Sequence, residues 1–165
     1  MLTLNLPSEQ VAELSRELAS AGRREIGGIL MGEQLEPSHF RVTEMTFQRH
    51  GGMLARFVRN ARLALVALQQ FFTHTGHRYQ QYNYLGEWHS HPSFEPRPSS
   101  TDHESMIDVV CHQNTGANFV LLFIAKLNES NQLEGSVTVY LPDGTFSGGV
   151  LNLEKHTNLS EANDG

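Results

Sequence analysis

Leu85-Gly-Glu-Trp-His-Ser-His-Pro-Ser-Phe-Glu-Pro-Arg-Pro-Ser-Ser-Thr-Asp102 is the segment around which the rest of the chain is arranged. Tyr82, Tyr84, Leu85 and Trp88 are large residues suited to a pleated, half-buried strand, and Pro92 ends that strand because it has no N–H to give a ladder. Strand side chains repeat every second residue, so His89 and His91 point to one side and Ser90 to the other. Two imidazoles converging from one strand can hold a metal. Pro92, Pro96 and Pro98 stiffen the following loop, Ser99 opens a helix, and Asp102 is placed to supply a third ligand. Two histidines and a carboxylate leave the fourth position of a tetrahedral zinc open to water, which is the catalytic arrangement and points to hydrolysis.

Taken singly, these pieces carry little. A His-x-His pair on a strand is as often a surface or core feature as a ligand pair, and Ser99-x-x-Asp102 alone is an ordinary capping box. Their combination is far more specific. His89-x-His91, seven residues, then Ser99-x-x-Asp102 resembles the signature of the JAMM/MPN (JAB1/MPN/Mov34) metalloproteases. Glu25-Ile-Gly-Gly-Ile-Leu-Met-Gly32 is similar to the Glu-x-Gly-Gly-x-Leu-x-Gly strand that carries the family's upstream glutamate.

At 165 residues the chain has the length of one domain, expected over 1–155 with a polar tail at 156–165. It has 39% hydrophobic residues, a formal charge of -6 and no basic tract, which excludes nonspecific nucleic-acid binding as a main function. No stretch approaches the roughly 18 apolar residues of a membrane span, and Met1 to Pro7 lacks the positive and apolar regions of a secretory signal. The one cysteine, Cys111, cannot form an internal disulfide, which fits a reducing, cytoplasmic setting; between Val110 and His112 in a helical pattern it reads as a small buried hydrophobe.

Leu2, Leu4 and Leu6 alternate as a short strand. Ser8 then caps a helix to about Ala21, with Val11, Leu14 and Leu18 inward and Gly22 as the stop. Gly27, Gly28 and Gly32 among Ile26, Ile29, Leu30 and Met31 mark a buried strand where backbones approach closely, and match neither a Walker nor a dinucleotide-binding pattern. Arg41 to Phe47 is a second strand, and a loop follows at His50-Gly51-Gly52. Asn60 to His74 is an amphipathic helix whose stripe of Ala61, Leu65, Leu68 and Phe72 is read as core. Arg49, Arg56, Arg59 and Arg62 form a locally basic stretch, either a solvated face or a surface for an acidic partner. Met106, Ile107 and Val110 mark the inner face of the helix after Ser99, and His103 and His112 are left outside the metal's ligands. Asn118 to Ala125 reads as a central strand covered on both faces, and Val137 to Leu141 as another strand. After Pro142-Asp143-Gly144, Thr145 to Leu153 is read as its hairpin partner. The class is α/β: a mixed central sheet flanked by helices, as in the MPN fold.

The resemblance implies roles. His89, His91 and Asp102 hold Zn2+; Glu25 acts as general base and acid; Ser99 supports the oxyanion. By spacing alone Glu25 reads as a solvated partner of Arg23 or Arg24, and the resemblance reverses that preference. Glu87, Trp88 and Pro92 shape the site. Family members are zinc isopeptidases or peptidases that cut after the C-terminal residue of a ubiquitin-like protein. Short stand-alone members with the phrase Tyr84-Leu-Gly-Glu-Trp-His-Ser-His-Pro92 resemble bacterial deconjugases of ubiquitin-like antiphage systems. The partners implied are a ubiquitin-like protein, its conjugates, and E1- and E2-like enzymes of the same operon. A peptidase maturing a sulfur-carrier protein would use the same chemistry, and a non-catalytic MPN scaffold is the reading from another class; scaffolds usually lack the zinc ligands retained here.

Overall fold

The computed structural model describes residues 1–49, 61–112 and 117–155. In chain order these form β1 (Thr3–Leu6), α1 (Ser8–Ala21), β2 (Gly27–Glu36), β3 (His39–Met45), α2 (Ala61–His74), β4 (Tyr82–Ser90), α3 (Ser100–His112), β5 (Val120–Leu127), β6 (Leu133–Tyr140), β7 (Phe146–Gly148) and β8 (Val150–Leu153). The loop expected at His50–Gly52, Arg56 and Arg59, the helix start at Asn60 and the tail at 156–165 lie outside the described residues.

The strands make one mixed sheet in the order β7-β6-β5-β4-β2-β3-β1-β8, with β4–β5, β1–β3 and β1–β8 parallel. β5 is central, and Val120 to Ala125 are all buried because both faces are covered, as the apolar run requires. Leu121, Phe123 and Ala125 pack with Trp88 and with Leu14, Leu18 and Ala21 of α1. The opposite face of β5, Val120, Leu122 and Ile124, packs with Met106 and Val110 of α3. α2 covers that same side further along, Phe71 lying on Ile29 and Met31. Among the described residues no helix is long and apolar enough to cross a membrane.

Two glycines show how closely the strands approach. A Cβ at Gly28 would lie 1.8 Å from the Thr46 carbonyl oxygen. At Gly86, φ is 150° and a Cβ would fall 2.0 Å from the Leu121 oxygen, so no side chain fits there without moving backbone.

Several expectations are corrected. Pro7, not Ser8, occupies the N-cap of α1; Ser8 lies inside the first turn and no side chain caps the helix. The buried face of α2 is fully buried Phe71 with half-buried Ala64, Ala67, Leu68 and Phe72; Leu68 and Phe72 are on the expected stripe, but Phe71 is not, and Leu65 is exposed. Ala-Arg-Leu-Ala-Leu-Val-Ala-Leu is apolar on several faces, so its periodicity does not fix one. Burying Phe71 is worth about 1.5–3 kcal/mol, and the sheet decides which ring receives it. Cys111 is exposed, its thiol donating to the Pro142 oxygen at 3.4 Å, because it lies off the stripe of α3 set by Met106 and Val110. Arg49 is committed to Glu17 of α1 in a bidentate pair at 2.7 and 3.0 Å, which removes it from the basic stretch as a partner surface.

The expected hairpin is half right. β7 pairs antiparallel with β6, but after Gly149 the chain leaves it and β8 runs parallel to β1 at the other end of the strand order. One residue therefore joins the two ends of the sheet. Gly149 N–H donates to Val137 O and Val150 N–H to Leu2 O, each at 2.8 Å, so the sheet curls until its ends meet.

Candidate metal centre

β4 and the start of α3 bring three side chains together. The ligand atoms of His89, His91 and Asp102 all lie within 4.8 Å of one another. His89 Nε2 is 3.1 Å from His91 Nε2 and 3.4 Å from Asp102 Oδ1. Ligands bound at about 2.0–2.1 Å in a tetrahedron sit about 3.3 Å apart, so these separations suit side chains that could share one metal ion. His91 Nδ1 donates to the Glu95 carbonyl at 3.0 Å; a carbonyl can only accept, so the lone pair of that ring is on Nε2, facing the cluster.

Asp102 arrives by helical arithmetic. It shares the buried stripe of α3 with Met106 and Val110, four and eight residues on, so the stripe that anchors the helix also carries the carboxylate inward. Ser99 and Asp102 form a reciprocal capping box: Asp102 N–H donates to Ser99 Oγ at 3.2 Å, and Ser99 N–H and Oγ–H each donate to Asp102 Oδ2 at 2.7 Å. The cap holds Oδ2, which is also 3.8 Å from His91 Nε2, and leaves Oδ1 for His89 Nε2 at 3.4 Å. Burial pushes the Asp102 carboxyl up, but hydrogen bonds from His89 and Ser99 and the His89 charge outweigh it and hold it well below the usual carboxylate range. A carboxylate beside two imidazoles is a donor set that a divalent metal accepts.

Glu25 is not in that cluster, and the backbone shows what locates it. Ile26 N–H donates to Ser90 Oγ at 3.0 Å, and Ser90 N–H donates to Ile26 O at 2.8 Å. Glu25 thus enters the sheet one residue before a clamp on the serine between the two histidines. Among the described residues no ion pair joins it to Arg23 or Arg24, the bland reading that its spacing favours. Sequence reasoning missed Ser90, which is 1% exposed. Its signal was available: a hydroxyl pointing into the core from a strand must find a partner. Ser90→Ala leaves the buried Ile26 N–H unpaired and is expected to cost about 1–3 kcal/mol in urea unfolding.

Trp88 is fully buried on the face opposite the histidines, and its Nε1–H donates to Thr46 O at 3.0 Å. Glu87, on the histidine side, is buried, and burial pushes its carboxyl up to about 7. His103 lies outside the cluster, its Nδ1 2.8 Å from Tyr140 Oη and its ring stacked on Phe146. The side chain of His112 lies outside the described residues.

Residues 7–135 match the model of a family described as prokaryotic homologs of the JAB domain. A curated relative from Enterobacter hormaechei subsp. hoffmannii, named CD-NTase/cGAS isopeptidase, is 31% identical over 120 residues, which are 69% of this chain and 62% of that protein. The chain thus matches less than two thirds of that relative's length. A solution structure from Desulfitobacterium hafniense superimposes with a TM-score of 0.63 at 17% identity, covering 98% of this chain and 99% of the other. One from Salinibacter ruber gives 0.52 at 18% identity, over 95% and 94%. At these identities the two solved structures show likeness of fold alone. With the family match running from the start of α1 into β6, through both histidines and Asp102, the chain belongs to the prokaryotic homologs of the JAB domain.

Proposed function

We propose that this chain is a zinc-dependent isopeptidase or peptidase that cuts after the C-terminal residue of a ubiquitin-like protein, removing it from conjugates or maturing its precursor, in a bacterial ubiquitin-like conjugation system of antiphage defence. The observation that carries the reading is the convergence of His89, His91 and Asp102 at zinc-ligand spacing, with Asp102 hydrogen-bonded from behind. A scaffold has no need of such a cluster. The name of the Enterobacter relative, CD-NTase/cGAS isopeptidase, favours deconjugation over maturation of a sulfur carrier.

His89, His91 and Asp102 would hold the zinc, which when bound would supply a Lewis acid for the scissile carbonyl and lower the pKa of a water toward 7. Glu25 takes the proton of the attacking water on its carboxylate and returns it to the leaving amine. Ser99 exchanges its hydroxyl bond to Asp102 Oδ2 for one to the oxyanion, a donor aimed where charge develops. The Ile26–Ser90 clamp holds the backbone next to Glu25, and the capping box holds Ser99 beside Asp102.

The substrate's extended tail adds alongside a strand edge, and a narrow approach to the ligands favours small residues before the scissile bond. The test uses a ubiquitin-like protein encoded beside this gene, carrying a C-terminal fusion or isopeptide partner. Cleavage directly after its last native residue, stopped by a chelator and blocked when that terminal glycine becomes a bulky residue, is the expected result. Unaltered hydrolysis of the bulky variant would remove the proposed mode of binding.

A further inference from the structure

His91 and His89 are supported unequally. His91 Nδ1 has its acceptor in the Glu95 carbonyl, while His89 Nδ1 is buried and finds no partner. When Nε2 of a histidine binds a metal, Nδ1 carries the ring proton and requires an acceptor, almost always a carboxylate, a carbonyl or a water. Two residues back on the same side of β4, Glu87 Oε2 is also buried and also without a partner. Ile29 pairs across from Glu87 on β2 and Leu122 on β5, both residues are core, and the buried Tyr84 phenol nearby is pushed up by burial and by the Glu87 charge. A position serving only to pack there takes an aliphatic side chain. Among the described residues four buried side-chain polar atoms are unpaired, and two of them are a potential donor and a potential acceptor at alternate positions of one strand.

We infer that Glu87 is the positioning residue for His89: its carboxylate accepts the Nδ1 proton through one buried water, holding the imidazole with Nε2 toward the metal. One water satisfies both orphaned atoms, accepting from Nδ1–H and donating to Oε2. The inference rests on the metal reading proposed above, and extends it to a residue that neither binds the ion nor touches substrate.

The test is Zn2+ affinity by competition against a chromogenic chelator, together with the melting temperature of the metal-free protein. Glu87→Leu should weaken zinc binding by about 10–100-fold, with Glu87→Gln, which keeps a carbonyl acceptor, losing less. Metal-free Glu87→Leu should melt no lower than wild type, because an unpaired buried carboxyl has been replaced by an apolar group; a merely structural Glu87 would lower it. Equal zinc affinity in wild type and a folded Glu87→Leu overturns the inference and leaves the metal reading standing. A wild-type chain that takes up no Zn2+ in the same titration overturns both. The third measurement needs no variant: in zinc-loaded wild type, the His89 Nδ1 proton should appear by NMR as a solvent-protected imidazole resonance, and its absence while the His91 Nδ1 proton is seen also overturns the inference.

Discussion

Alanine at His89, His91 or Asp102 is expected to leave a protein that takes up no zinc, where wild type holds close to one per chain. Each substitution removes one of the three ligands proposed, and two remaining donors would not hold a tetrahedral ion against water. Cleavage of a conjugate should fall at least about 10³-fold, the scale of several kcal/mol of Lewis-acid stabilisation, and should return when a chelated wild type is reloaded but not when the variants are. His89→Ala is the cleaner probe, because Asp102→Ala also breaks the capping box of α3 and costs about 1 kcal/mol of stability. Cys111→Ser should leave metal content unchanged, since the thiol is exposed and outside the cluster. Elemental analysis of the purified proteins decides: zinc retained in the His89 or His91 variant would mean the ion sits elsewhere.

Glu25→Ala should behave differently, keeping its zinc and its affinity for the ubiquitin-like partner while kcat falls about 10² to 10⁴-fold, the usual contribution of a general acid–base group. Stability should hardly change, because among the described residues Glu25 makes no ion pair and the clamp beside it runs through Ile26 and Ser90. Ser99→Ala should lose less rate, about 10² to 10³-fold for one oxyanion donor, and should also lose about 1 kcal/mol of stability, since Ser99 Oγ caps α3. Comparing kcat, KM and urea midpoint for the two variants separates a proton carrier from a structural acid. Near-normal turnover by Glu25→Ala would make Glu25 a structural acid and remove it from the proton transfer.

Much of this arrangement was legible because its determinants are local. Alternation put His89 and His91 on one side of β4, the apolar run from Val120 announced a strand covered twice, and the spacing of Ser99 and Asp102 announced a cap at the start of α3. What escaped depends on partners distant in sequence. Ser90 was read only as the residue facing away from the metal, because its role is to bind Ile26 across 64 residues. The stripe of α2 included Leu68 and Phe72, which do pack inward, but took exposed Leu65 for core and passed over Phe71, because nearly every side of the first two turns is apolar and only the sheet beneath selects Phe71. Thr145 to Leu153 alternates like one strand, and nothing in that pattern says that Gly149 sends its second half to a different neighbour.

That one-residue junction also governs the order of assembly. Asn152 Nδ2 donates to Asn5 Oδ1 at 3.2 Å across 147 residues of sequence, so the pairing of β8 with β1 is the least local contact in the sheet and brings the highest loop-closure entropy. As the chain emerges during synthesis, β1 is made among the first residues and waits for nearly all the others before its outer neighbour exists. Until then it carries a bare edge, but one of only four residues, too short to template pairing with another molecule. The cluster of His89, His91 and Asp102, by contrast, is complete by Asp102 and rests on β2, β4 and β5, so its framework can form before β8 has paired.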